Sequence, residues 1–283
     1  MGIKFSNKVV LVTGGARGIG KKIAYGFAKE GPDVIICDVN EAQGKSTCRE
    51  FKEEGLSVKF LQIDLSKKGA PQEMIRQVVK DFGKLDVLVN NARSGERVEF
   101  CEETDDTWDL GMAVTLRAAF FASQEAIRAM SQKREGCIVN IGSVASFLVC
   151  QESPVYHVAK AGLMHLTKYL AVHGGAYGVR VNAVQPGFIV QDEHIERYER
   201  DDDKEYKKTA EFCHPLGYVG KSNDIANFIL FICSPEAPFV TGQCITLDGG
   251  LTIQEQSSLV FNFAKGDSWK IDESLKKEWD KSE

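Results

Sequence analysis

Tyr156 and Lys160 stand four residues apart, and Ser143 lies thirteen residues before the tyrosine. On a helix, positions i and i+4 share a face, so a phenol and an ammonium at this spacing can act on one another. A free phenol, with a pKa of about 10, is a poor base at neutral pH. A nearby cation favours the phenolate and moves it toward a useful range. Such a phenol can exchange the proton of an alcohol while a hydride leaves or reaches the carbinol carbon. A serine hydroxyl beside it can orient the oxygen on which negative charge develops. Spacing alone does not decide the matter, because Y-x-x-x-K equally describes a surface tyrosine and a solvated lysine.

A second constellation is Thr13–Gly20, T-G-G-A-R-G-I-G, directly after an apolar run and opening a helical pattern. Glycines at 14, 18 and 20 permit a tight turn and close approach of the backbone to a pyrophosphate, whose charge the helix N-terminus favours. Asp38, at the end of the next apolar run, is placed to accept from both hydroxyls of an adenosine ribose. A carboxylate there repels a 2′-phosphate, which favours NAD over NADP. Arg17 pulls weakly the other way, since a guanidinium near phosphates accommodates one more. The position of Asp38 decides for NAD.

The elements that must hold these residues follow from the alternation of short β-branched runs with helical patterns, which specifies a parallel sheet with crossover helices. Strands are expected at Lys8–Thr13, Asp33–Asp38, Ser57–Ile63, Leu85–Val89, Cys137–Ile141, Arg180–Val184 and Gln243–Leu247. Helices are expected over Ile19–Glu30, Glu41–Glu54, Pro71–Phe82, Thr104–Lys133, Val155–His173 and Asp224–Cys233, with Gly111 weakening the case for an unbroken fourth helix. Ile189–Tyr218 is charged, and reads either as a solvated helix or loop or as a lid over a site. The organisation is one domain, 1–251, containing that 189–218 segment, followed by a charged extension, 252–283, in which Trp269 and Trp279 offer contacts to a neighbouring subunit.

Composition sets the outer limits. The chain has 283 residues, 43% hydrophobic and 27% charged, with 35 basic against 40 acidic side chains and a net charge of -5. That balance argues against a surface built for nucleic acid or an acidic membrane. Eight cysteines without a C-x-x-C pair point to a reducing compartment rather than a disulfide framework, and no metal-ligand spacing is present. With no secretory signal pattern and no apolar stretch long enough to span a bilayer, a cytoplasmic location is expected.

Taken together, these motifs resemble the short-chain dehydrogenase/reductase family in its branch of roughly 250 residues. The resemblance runs from Lys8 to about Leu251 and rests on ordered motifs: Thr13–Gly20, Asp38, Asp64–Leu65, Asn90–Asn91–Ala92, Ser143 in NIGSVAS, Tyr156 and Lys160 in YHVAK, Asn182–Gly187 and Asp248–Gly249–Gly250. It implies a doubly wound Rossmann fold with a central parallel sheet of about seven strands. It also implies hydride transfer between NAD(P) and an alcohol or ketone, and a homotetramer built through the long helices. Residue by residue, it carries catalysis to Ser143, Tyr156 and Lys160. It carries cofactor binding to Gly14, Arg17, Gly18, Ile19, Gly20, Asp38, Asp64, Leu65, Asn91, Ala92, Tyr156, Lys160, Pro186, Gly187 and Ile189.

Three positions depart from the family pattern. Arg93 stands where the N-N-A motif is usually followed by glycine, Thr115 replaces the asparagine that supports a proton-conducting water, and Gln191 replaces a threonine after Pro186–Gly187. Arg93 and Arg97, with His157 and His194, are the local clues to substrate. Arg93 either clamps a carboxylate or phosphate of a small anionic alcohol or ketone, pairs with the cofactor pyrophosphate or with Glu96 or Glu99, or points to solvent. The rival to an enzyme is a catalytically weak or inactive NAD(P)-sensing protein of the same fold.

Overall fold

The computed structural model describes residues 5–94, 97–200 and 204–265. Trp269 and Trp279, for which a contact to a neighbouring subunit was expected, lie outside these residues.

Seven strands form one parallel sheet in the order β3-β2-β1-β4-β5-β6-β9. They are β1 (Val9–Thr13), β2 (Asp33–Asp38), β3 (Val58–Gln62), β4 (Val87–Asn90), β5 (Gly136–Ile141), β6 (Val179–Pro186) and β9 (Cys244–Leu247). This is the doubly wound Rossmann arrangement expected from the sequence. Helices α1 (Gly18–Lys29), α2 (Glu41–Glu53), α3 (Ala70–Phe82), α4 (Asp105–Met112), α5 (Ala118–Ser131), α6 (Pro154–Gly175) and α9 (Ser222–Cys233) cover its faces. Because both faces are covered, the strands are apolar at successive residues: every residue of β1 and β4 is buried. Val10, Val12 and Ile36 face a core shared with Phe27 and Ile229, while Leu11, Ile35 and Leu88 face another with Met74 and Ala122.

Strand order reverses between β1 and β4, and this switch point opens a crevice beyond their C-terminal ends. The glycine turn follows β1, and Asn91–Ala92 follow β4, so the two motifs meet there. They are joined directly: the Thr13 hydroxyl accepts from the backbone N–H of Asn91 at 2.9 Å and of Ala92 at 3.0 Å.

The helix expected over Thr104–Lys133 is present but irregular. Between α4 and α5, Ala113–Arg117 forms a turn of π-helix, and Thr115 is buried within it. Gly111 is not where the helix breaks. A Cβ at Gly111 would lie 2.7 Å from both γ-methyls of Val155, so its absence lets α4 press against the first turn of α6.

The 189–218 segment contains strand β7 (Ile189–Val190), paired in parallel with β8 (Gly220–Lys221), and helices α7 (Ile195–Tyr198) and α8 (Lys204–Phe212). The small second sheet was not legible in the charged sequence. The extension begins with α10 (Gln256–Lys265), which reaches back to α8: Phe263 meets Phe212 edge-to-face at 5.0 Å. Gln254 donates to the Cys213 carbonyl at 2.7 Å. Among the described residues, no helix is long and apolar enough to cross a membrane.

Candidate active site

The glycine turn and the N-terminus of α1 form one end of the crevice. Gly14 and Gly18 have positive φ, +61° and +56°. At Gly18 a side chain would also land 2.2 Å from the Gln191 amide oxygen, so the 189–218 segment packs directly over this glycine. Gln191 thus reaches the glycine turn despite replacing threonine. Arg17, exposed at the N-cap of α1, makes no capping bond, and no side chain at the cap occupies the first N–H groups of that helix. Ile19 and Gly20 continue into its first turn. This fits a pyrophosphate: small residues line the cradle, and uncapped donors with the helix dipole point at it.

Asp38 ends β2 beside the turn. Its carboxylate accepts from the Ala16 N–H at 3.3 Å and the Asn40 N–H at 3.0 Å, which fixes its orientation at the crevice edge. Asp64 follows β3 and accepts from the Ser66 hydroxyl and N–H; the hydroxyl bond is the first cause of a carboxyl held below its ordinary value. Leu65 beside it is buried. Asn91 donates to the carbonyls of Thr13 and Gly14, both at 3.0 Å, bracing the turn from β4. Pro186 ends β6, Gly187 follows it, and Ile189 begins β7.

The other end of the crevice is built on β5 and α6. Ser143 follows β5, and its hydroxyl accepts from the Ala145 N–H at 3.1 Å, capping a short 3-10 turn. Tyr156 and Lys160 share a face in the first turns of α6, and the Lys160 Nζ stands 5.5 Å from the tyrosine ring centre. Lys160 is only 2% exposed and donates to the Ile141 carbonyl at the end of β5. Burial pushes its ammonium down from the ordinary 10.5 to about 7, and the like charge of Arg93 adds to the effect. Burial raises the Tyr156 phenol, against which a hydrogen bond with Ser143 and the Arg93 charge act to lower it. Ser143, Tyr156 and Lys160 are thereby brought together, as their spacing allowed and did not require.

The substrate clues separate in the fold. Arg93 places its guanidinium carbon 5.4 Å from the Tyr156 ring centre. Arg97 is instead paired with Glu152 at 2.9 Å. His157 is held by the Ser153 carbonyl at Nδ1 and the Cys150 N–H at Nε2, 3.0 and 3.1 Å. His194 is exposed in the 189–218 segment.

Sequence reasoning missed several supporting groups. Gln185, buried on β6, donates to the Ser146 hydroxyl at 2.5 Å and reaches the Ser143 carbonyl at 3.5 Å, holding the serine loop. Asn90, Ser123, Asn140 and Thr167 form a buried chain of hydrogen bonds joining β4 and β5 to α5 and α6. The apolar runs around Asn90 and Asn140 were the available signal: an asparagine ending such a strand needs a buried partner.

The fold and crevice define an NAD(P)-binding oxidoreductase of the Rossmann type. Comparison with known proteins agrees. The family model described as enoyl-(acyl carrier protein) reductase matches residues 14–252. An uncharacterized oxidoreductase of Thermotoga maritima is 38% identical over 253 residues, 88% of this chain and 99% of that protein. The 3-oxoacyl-[acyl-carrier-protein] reductase of the same organism is 35% identical, covering 89% of this chain and all (100%) of that one. The solved short-chain dehydrogenase/reductase of Serratia marcescens superposes with a TM-score of 0.76 at 32% identity, over 88% of this chain and 99% of the other. The chain belongs to the short-chain dehydrogenase/reductase family, and with it to the NAD(P)-dependent oxidoreductases acting on alcohols and ketones.

Proposed function

We propose that this protein transfers a hydride between NAD(H) and a secondary alcohol or ketone, with Tyr156 as the general acid/base. The observation that carries the reading is the convergence on Tyr156 of Ser143, which acts to lower the phenol's pKa, and of Lys160, whose Nζ stands 5.5 Å from the ring centre. In the oxidative direction Tyr156 accepts the hydroxyl proton of the substrate, and in the reductive direction it returns one to the carbonyl oxygen. Ser143 donates to that oxygen as charge develops on it. Lys160 favours the phenolate electrostatically and donates to the nicotinamide ribose. When bound, the nicotinamide supplies the hydride acceptor or donor. Thr115, buried in the π-turn, stands where the family's asparagine supports a proton-relaying water.

The preference for NAD rests on Asp38, whose carboxylate faces the ribose end of the crevice and disfavours a 2′-phosphate. Gly14, Arg17, Gly18, Ile19 and Gly20 take the pyrophosphate, Asp64 and Leu65 the adenine, and Asn91, Ala92, Pro186, Gly187 and Ile189 the nicotinamide half. The 189–218 segment serves as the lid, and residues 1–251 as the catalytic unit. The assembly is a cytoplasmic homotetramer joined through α4–α5 and α6, a reading supported by the exposed Leu110, Tyr169 and Val172 on those helices.

The deciding experiment follows NADH absorbance with NAD+ and a panel of secondary alcohols. Tyr156→Phe is expected to lower kcat by roughly 100-fold or more, the usual weight of a general acid/base, while NADH titration shows nearly unaltered binding. A Tyr156→Phe enzyme with near wild-type kcat removes the tyrosine from the chemistry.

A further inference from the structure

Arg93 stands where relatives of this family usually have glycine, directly after Asn91–Ala92 at the switch point of the sheet. A side chain of this length, introduced beside the catalytic tyrosine, alters what the substrate can be. The guanidinium carbon lies over the Tyr156 ring, 5.4 Å from its centre. Its own hydrogen bond is local and long, to the Ser94 carbonyl at 3.3 Å. Among the described residues it pairs with no carboxylate. The nearest acidic group that also acts on Tyr156, Glu152, is already engaged by Arg97 at 2.9 Å, its side chain 15% exposed. Lys160, the other cation beside Tyr156, is buried and turned to the Ile141 carbonyl. Among the described residues Arg93 is therefore an exposed cation at the chemical end of the crevice, with donors that no described carboxylate takes.

We propose that Arg93 makes this site specific for a substrate bearing a free carboxylate close to the reacting carbon, a small hydroxy or keto acid rather than a neutral alcohol or an acyl thioester. This deepens the hydride-transfer reading above and rests on it. The geometry limits the separation. The substrate oxygen must lie within about 3 Å of the tyrosine hydroxyl to exchange its proton. The guanidinium rests against the same ring. A carboxylate only one or two carbons from the carbinol carbon can therefore meet the tyrosine and the arginine at once. The planar fork of arginine matches the two oxygens of a carboxylate, which lysine does not.

The test compares lactate and 3-hydroxybutanoate with their methyl esters, using NAD+, in the wild type, Arg93→Gln, Arg93→Lys and Arg93→Gly. The ratio of kcat/KM for acid over ester is expected to exceed one in the wild type. It should fall by roughly 30-fold or more in Arg93→Gln and Arg93→Gly, mostly through KM, with Arg93→Lys between them. A binding arm is independent of turnover: malonate added to the NADH-loaded protein should give a saturable change in nucleotide fluorescence, at least tenfold weaker in Arg93→Gln. A wild type that favours esters overturns the proposal. So does an acid-to-ester ratio that Arg93→Gln leaves unaltered, or malonate that fails to saturate. An equal loss for acid and ester, accompanied by a displaced pH profile, also overturns it by showing that Arg93 acts only through Tyr156. Failure of NADH to bind at all, or of any alcohol to turn over, marks instead the failure of the underlying hydride-transfer reading.

Discussion

Lys160 is a charged group placed where the fold alone would not choose one, and its cost can be measured. Burial lowers its pKa from 10.5 to about 7, which at roughly 1.4 kcal/mol per tenfold change in proton affinity corresponds to about 5 kcal/mol against the charged native state. Methionine has a similar unbranched shape and no charge, so Lys160→Met removes this penalty without opening a large cavity. It also leaves the Ile141 carbonyl without its donor, at a cost of about 1–3 kcal/mol. The net expectation at pH 6 is a variant more stable by about 2–4 kcal/mol in the nucleotide-free protein, because the burial penalty exceeds the lost bond.

The pH dependence separates the two effects. The native pKa is depressed, so between about 7 and 10.5 the unfolded chain binds more protons, and wild-type stability rises with pH across that window. The penalty is fully present below pH 7 and has fallen to about 2 kcal/mol by pH 9. The advantage of the methionine variant should accordingly shrink by about 3 kcal/mol between pH 6 and pH 9, whatever the lost carbonyl bond costs. Urea unfolding of both proteins at equal concentration, at the two pH values, reads this directly. The variant should be catalytically dead throughout. A stability difference that is the same at pH 6 and pH 9 refutes the account of a buried, titrating lysine.

Two further expectations follow from close contacts. Asp38→Ala removes the carboxylate that disfavours a 2′-phosphate, so the kcat/KM ratio of NADP+ to NAD+ should rise by roughly 10- to 100-fold; a wild type already faster with NADP+ contradicts the assignment. Gly111→Ala places a methyl 2.7 Å from the γ-carbons of Val155 and should destabilise by about 1–3 kcal/mol despite the better helix propensity of alanine. The double substitution with Val155→Ala should recover much of the clash, and thermal or urea unfolding of the single variant at or above wild-type stability shows the contact to be slack.

The parts of this protein legible in its sequence are those decided by neighbours along the chain. The apolar runs such as Val9–Thr13 fix strands buried on both faces, because only a covered parallel sheet leaves no side of a strand to water. The glycines of Thr13–Gly20 prescribe a turn that larger residues cannot follow, and Tyr156 and Lys160 share a helix face by the helical repeat alone. The charged 189–218 segment gave no comparable signal: its short strand β7 is specified by pairing with β8 about thirty residues away, and nothing in its own sequence requires it. The π-turn at Ala113–Arg117 likewise had no signal in the sequence, since Gly111, the one residue that weakened the helix there, lies within regular α4.

What only the tertiary structure decided is which side chains from separate elements meet. Arg93 had three readings in the sequence, and its place over the Tyr156 ring depends on the residues after β4 lying beside the first turn of α6. Arg97 looked equivalent to it, yet Glu152, fifty-five residues further on, takes its charge. Gln191 closes on Gly18, and Lys160 turns to the Ile141 carbonyl, through contacts that no local pattern encodes. Local propensity and periodicity act over a few residues, whereas the environment of a charge is set by whatever the fold brings within a few ångströms of it. The sequence therefore supplies the reacting groups, and the packing of the sheet supplies the charges that tune them.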